Sequence, residues 1–159
     1  MGKMTGLTKF VISGCKVQAL PPEVGNMRGL THLDVSSNEL TKLPAELGKL
    51  VGLVHLDVGN NKLTLLPAEL INLVNLKLLS IRDNAGLREL PPFGNYKCLE
   101  SLRMRNVGKV SALPPDLFTL KSLTELDIRE NPQFVELPSQ IGELTNLELL
   151  DLYGNGFKV

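Results

Sequence analysis

Four arginines stand at regular distances in this chain. Arg82, Arg105 and Arg129 are 23 and 24 residues apart, and Arg103 lies two places before Arg105. A guanidinium is a planar fork of donors that meets a carboxylate or phosphate through two bonds. Arginines brought side by side therefore suit an acidic or phosphorylated protein segment. Aspartates recur at a similar interval, as Asp34, Asp57, Asp127 and Asp151, and Tyr153 closes the arginine series. Two places before the first two aspartates sit His32 and His55. If the interval brings these together, His32, Asp34, His55 and Asp57 form a patch of four potential metal ligands. A histidine and an aspartate in open places are more often simply solvated, and no metal or cofactor is assigned.

Whether such groups meet depends on what repeats. Similar units start at Leu7, Leu30, Leu53, Leu76, Leu99, Leu123 and Leu147, spaced 23, 23, 23, 23, 24 and 24 residues apart. The cleanest, "LTHLDVSSNELTKLPAELGKLVG" at 30–52, has apolar residues at its first, fourth, sixth and eleventh places and asparagine at its ninth. The alternation at Leu33 and Val35 is a strand signal that buries one face and exposes Asp34. One such strand cannot hide its leucines alone, so neighbours must stack into a parallel sheet over a continuous core. Residues about two dozen apart then become lateral neighbours.

Two further columns frame the strands. Asn38, Asn61, Asn84, Asn131 and Asn155 can each donate and accept, and so tie together the backbone that leaves each strand. Leu-Pro pairs at 20–21, 43–44, 66–67, 90–91, 113–114 and 137–138 lead into the returning segment. Proline is expected there at the first position of a short helical turn, where its missing N–H is no loss. Two units depart. The fourth carries an extra residue after Asn84 and loses one in "LPPFGNYKCL"; the fifth has Val107 in the asparagine column. A loose loop with an unpaired backbone group is expected at Val107. Cys15 also stands in that column and is expected to be a small buried residue.

In such a stack the third, fifth and seventh places project from the sheet. The expected partner-binding residues are thus Arg82, Arg103, Arg105, Arg129, Asp34, Asp57, Asp127, Asp151, Tyr153, His32 and His55. Like charges stacked at about 4.8 Å are unfavourable unless carboxylates interleave them. Asp127 is expected beside Arg103 or Arg105, and Asp57 towards Arg82. The alternative to a binding surface is a charge lattice that satisfies itself.

Composition narrows the function classes. Seventeen basic residues balance seventeen acidic ones, so no global field recruits nucleic acid or anionic lipid. Mean hydropathy is +0.06, and no run approaches the ~18 apolar residues of a spanning helix, so no membrane partner is expected. Cys15 and Cys98 are expected as separate thiols, and no N-x-[ST] sequon occurs, which together point to an intracellular, cytoplasmic protein. There is no G-x-S-x-G, no phosphate-cradling Gly-Lys-Ser/Thr loop and no H-E-x-x-H. The expected surface has no pocket, and an enzyme is not expected.

The seven units resemble the leucine-rich repeat over essentially the whole chain from Leu7. "LPAELGKLVGL" at 43–53, "LPPEVGNMRGL" at 20–30 and "LPSQIGELTNL" at 137–147 look like its 23-residue class, found in intracellular scaffold proteins of the Ras-suppressor type and their plant relatives. The resemblance implies an α/β fold: a right-handed solenoid, or horseshoe, with a concave parallel sheet and short helical or 3-10 turns on the convex side. It implies one domain over 1–159, with 1–6 and 157–159 as non-repeat ends. It also implies a non-enzymatic protein-binding module, a scaffold or adaptor whose partner is a small GTPase, a phosphatase subunit or an acidic or phosphorylated segment. The stretch "ELPPFGNYKCLESLRMRNVGKV" at 89–110 is similar instead to repeats of plant intracellular immune receptors, which implies a sensing region. A bacterial effector that seizes a host protein is a further alternative. Leu147, Leu150, Leu152 and Phe157 are expected near an open sheet edge, so the chain is expected to be cut from a longer protein or to associate through that edge as a structural assembly subunit.

Overall fold

Each Leu-x-x-Leu-x-Val-like stretch forms a three-residue strand, and seven of them lie side by side. They are β1 (Lys9–Val11), β2 (His32–Asp34), β3 (His55–Asp57), β4 (Leu78–Ser80), β5 (Ser101–Arg103), β6 (Glu125–Asp127) and β7 (Leu149–Asp151). All pair in parallel and in chain order, as expected for a solenoid. The computed structural model describes residues 4–158, so residues 1–3 and 159 of the two expected non-repeat ends lie outside the described residues. Phe157 packs against the core, as a residue of the seventh unit rather than of a tail.

The core lies between the sheet and the returning segments. Leu33, Leu56, Leu79, Leu102 and Leu126 are buried behind the strands, against Leu30, Leu53, Leu76, Leu99 and Leu123 from the first places. Each such side chain contributes roughly 1.5–3 kcal/mol. The return carries five 3-10 turns, at Pro22–Asn26, Ala45–Lys49, Ala68–Asn72, Pro115–Thr119 and Ser139–Glu143. In five of the six Leu-Pro pairs the proline caps a turn from one place outside instead of opening it: Pro44 has φ −71° and ψ 141°, an extended conformation. Its ring fixes φ and ends the preceding segment. The fourth unit has no 3-10 turn, because the shortened "LPPFGNYKCL" buries Phe93 and Tyr96 instead, ring edge to ring face at 6.2 Å. Among the described residues no helix is long and apolar enough to cross a membrane.

The asparagine column performs the ladder role its chemistry allows. Asn84 Nδ2 donates to the carbonyls of Val58 (3.1 Å), Ile81 (2.9 Å) and Arg82 (3.3 Å), while its Oδ1 accepts the Leu63 N–H at 3.1 Å. One amide thereby ties its own rung to the one before. Val107 does not leave a loose loop. It is fully buried, its N–H donates to Asn131 Oδ1 at 2.8 Å, and Asn131 Nδ2 reaches back to the Met104 carbonyl at 2.9 Å. Cys15 is exposed rather than buried, because the column's oxygen for it comes from Asn38 on one side and no described rung covers the other. Cys15 and Cys98 are both free thiols.

A further column is the eighth place. Gly14, Ser37, Asn60, Asp83, Asn106, Glu130 and Gly154 all have positive φ, between 51° and 74°. Every rung thus leaves the sheet through one left-handed residue, a conformation costing non-glycine residues about 1–2 kcal/mol. In the fourth to sixth rungs an added residue widens the following turn. Two of these turns close on themselves, Leu87 N–H to the Asn84 carbonyl at 3.0 Å and Phe134 N–H to the Asn131 carbonyl at 2.9 Å.

Candidate functional site

The register fixes what stands beside what on the open face of the sheet. His32 pairs with His55 across β2 and β3, and Asp34 with Asp57. Arg82, Arg105 and Arg129 follow β4, β5 and β6 by two residues each and so rank along consecutive rungs. Arg82 stands where the earlier rungs have Ser36 and Gly59, and its presence constrains Gly59. A Cβ there would lie 2.8 Å from Arg82 Cγ, so the glycine makes room for the arginine's stem.

The arginines do not form a basic centre. Arg103 Nε and NH2 donate to both oxygens of Glu125, at 3.0 and 3.2 Å. Arg129 binds both oxygens of Asp127, at 2.9 and 2.8 Å, and lies 3.3 Å from Asp151. Arg105 meets Glu130 at 3.0 Å, and Arg82 meets Asp83 at 3.3 Å. Four guanidiniums thus face five carboxylates. The expected pairing of Asp127 with Arg103 or Arg105 gives way to Arg129, whose side chain folds back two residues along the same rung. The expected reach of Asp57 to Arg82 is replaced by the adjacent Asp83. Asp83 and Glu130 were not among the expected site residues. The left-handed eighth place turns both carboxylates towards arginine, and a reading of the strand places alone does not contain that turn.

The titration behaviour follows these pairs. The Arg103 hydrogen bonds, set against partial burial, hold the Glu125 carboxyl below its ordinary value. Burial pushes Asp127 up, but the Arg129 side chain and N–H outweigh it and the net shift is downward. Arg129 is raised, chiefly by its bond to Asp127.

The aspartates at the fifth place also have a structural duty. Asp34 Oδ1 accepts the Ser36 N–H at 2.9 Å and the Ser36 hydroxyl at 2.7 Å; Asp57 Oδ1 accepts the Gly59 N–H at 2.8 Å. Asp127 and Asp151 bind the N–H of Arg129 and Tyr153 in the same way. Such Asx turns end each strand. They commit one oxygen of Asp34 and of Asp57 to backbone, and no group of three or more His, Cys, Asp and Glu among the described residues is disposed to hold an ion. The His32 and His55 rings instead meet edge to face, centroids 4.2 Å apart. His32 Nδ1 is 2.8 Å from the Thr31 hydroxyl. Burial, then the neighbouring His32, push His55 down from its ordinary value.

The face is not pocketless, contrary to expectation. A shallow hollow of about 330 Å³ lies over β1 to β5, between Lys9 and Val11 at one end and Leu78 and Arg103 at the other, with the two histidines and Asp34 and Asp57 between. Tyr153 is 74% exposed at the far end of the face. Among the described residues β7 is the last strand of the sheet; of the four residues expected near an edge Leu150 is exposed, while Leu147, Leu152 and Phe157 pack against the core.

A family model described as "Leucine rich repeat" matches residues 5–63 and 28–85, which together span half of the chain. No curated protein matches. Among solved structures, a leucine-rich-repeat protein of Leptospira interrogans is 28% identical with a TM-score of 0.58, over 97% of this chain and 50% of that one. An internalin of Listeria monocytogenes, 23% identical with a TM-score of 0.85 over 97% of this chain and 43% of that one, shows the fold alone. The ectodomain of the Arabidopsis thaliana membrane receptor kinase GASSHO1/SCHENGEN3, in complex with Casparian strip integrity factor 2, is 29% identical with a TM-score of 0.68, over 99% of this chain and 22% of that one. This chain spans half or less of the length of each.

Proposed function

The chain belongs to the leucine-rich-repeat family, and on that premise we propose that its open sheet face docks a protein partner, as a non-catalytic signalling scaffold or adaptor inside the cell. The observation that carries this reading is the fixed register of that face. Third-, fifth- and seventh-place side chains stand in ranks set by seven parallel strands, and a ladder of buried asparagines holds the backbone beneath them. A surface so ordered before binding spares a partner the entropy of arranging it. The likeness to a receptor ectodomain solved in complex with Casparian strip integrity factor 2 supports this reading. The two free thiols fit a reducing compartment.

Electrostatic balance favours a partner segment of mixed charge over a uniformly acidic one. The arginines can exchange their present carboxylates for a partner's, at little net gain for exposed pairs. Selection of displayed peptides on the folded chain, followed by amide shift mapping, tests the reading. The expected result is perturbation of the strand residues and weaker binding by the Arg103→Ala, Arg105→Ala variant, with its melting curve nearly unchanged. Peptides that instead map to the 3-10 turns, and ignore that variant, refute it.

A further inference from the structure

The hollow over β2 and β3 differs from the rest of the face in one respect. Every arginine on the face has a carboxylate, but Asp34 and Asp57 have no cation within 4 Å among the described residues. Their Oδ1 atoms hold the backbone of the strand ends, and their Oδ2 atoms have no hydrogen bond among the described residues. The two sit in register on adjacent strands, about 4.8 Å apart along the sheet. Beside them the imidazoles of His32 and His55 present ring surface, and Leu78 adds an apolar wall. Arg103, at the rim, is already bidentate to Glu125 and also feels the charge of Asp57, without a direct contact to it.

We propose that this hollow seats one arginine side chain of the protein partner, its guanidinium shared between Asp34 and Asp57 and its stem laid across His32 and His55. The proposal rests on the docking role of the open face and names the chemistry of one contact there. A guanidinium suits the site because its fork can offer separate N–H groups to two carboxylates, while its flat face stacks on rings. An acidic or phosphorylated residue would meet two unneutralised carboxylates at close range. Lys9 alone, at the open end, does not offset them.

The same geometry gives the site a pH dependence. The charged and titratable groups facing the histidines are Asp34, Asp57, Lys9, Lys77, Glu100 and Arg103. Neutral imidazoles leave the carboxylates free to attract a cation, whereas protonated ones supply that cation themselves. Burial already disfavours the charged form of His55. Arginine binding should therefore hold at neutral pH and weaken on acidification through the histidine range.

The test is a 15N amide titration of the whole chain with N-acetyl-arginine methylamide, with its citrulline counterpart as the uncharged control. The expected result is a saturable shift confined to residues 32–36 and 55–59, for arginine and not citrulline. It should weaken at least about fivefold in Asp34→Asn with Asp57→Asn, as for loss of exposed ion pairs, and fall away near pH 5. Asparagine keeps the Oδ1 acceptor of each Asx turn, so the variant's unchanged spectrum elsewhere reports an intact fold. No saturable shift up to about 50 mM probe, far above a millimolar dissociation constant, overturns the proposal. So does an equal response to citrulline, or full binding by the double variant. Selected peptides that still map to the strands but need no arginine would overturn this contact and leave the docking role standing.

Discussion

Replacing Asn84 by alanine removes four hydrogen bonds at once, and the structure says which of them matter. The Val58 carbonyl keeps a second donor in Asn61 Nδ2 at 2.9 Å, and the Arg82 carbonyl keeps the Asn60 N–H at 2.8 Å. The Leu63 N–H and the Ile81 carbonyl have no other partner among the described residues, and both lie in fully buried residues. Two buried backbone groups left unpaired cost about 1–3 kcal/mol each, so the expected loss is about 2–6 kcal/mol. For a chain of this size that corresponds to a fall of roughly 4–24 °C in Tm. Calorimetry measures the fall, and amide hydrogen exchange locates it: Leu63 should lose protection while Leu117 keeps it. Asn84→Asp retains the acceptor for Leu63 but turns a buried carboxylate oxygen towards three carbonyls, so it should be at least as destabilising as alanine at neutral pH. A Tm drop under about 2 °C for Asn84→Ala, or unchanged protection at Leu63, would refute the ladder argument.

Other expectations follow from single observations. Gly108 has φ +74° and a Cβ there would overlap the Ala85 carbonyl, so Gly108→Ala should destabilise by about 2–4 kcal/mol in a urea melt. Tyr96 is fully buried with no partner for its hydroxyl among the described residues, and burial pushes its pKa up to about 12. Tyr96→Phe should therefore cost nothing and gain up to about 1 kcal/mol, and an absorbance titration should find Tyr96 ionising only near pH 12. Glu125 and Asp127 have folded pKa values below their ordinary ones, so their pairs stabilise the protein above the carboxylate range. That contribution is lost as pH falls through the lowered values, and Glu125→Gln should flatten the acid limb of a stability-against-pH curve.

Much of the fold was legible because its signal is a period. Leucines at fixed places, repeated seven times, leave one economical way to bury them, and the strand places and their register followed from Leu33 and Val35 alone. What the period could not show was the path of the chain between repeated places. The eighth-place left-handed turn swings Asp83 and Glu130 to the arginines, and no spacing rule predicts that from residue type. Asp127 folds onto Arg129 of its own rung because an Asx turn brings them together, where a reading by columns looks only sideways. The buried Val107 was misjudged for a related reason: its N–H is served by the asparagine of the following rung, so the missing amide in its own place does not strand it. The hollow between His32, His55, Asp34 and Asp57 was anticipated as a cluster but not as a depression. Its depth depends on how far Lys9, Leu78 and Arg103 rise around it, which composition leaves open.

The widened turns of the fourth, fifth and sixth rungs carry a consequence for how such a chain can change over evolutionary time. Their outer loops lie one upon another, with Gly108 pressed under Ala85 so closely that no larger residue fits. A codon deleted from the fifth would leave a step against both neighbours, and one deleted from the fourth or sixth a step against the fifth, whereas removal of an entire rung would bring like against like. Whole-unit duplication and loss should therefore be the tolerated currency of length variation here, and a lone insertion or deletion within this block the disallowed one.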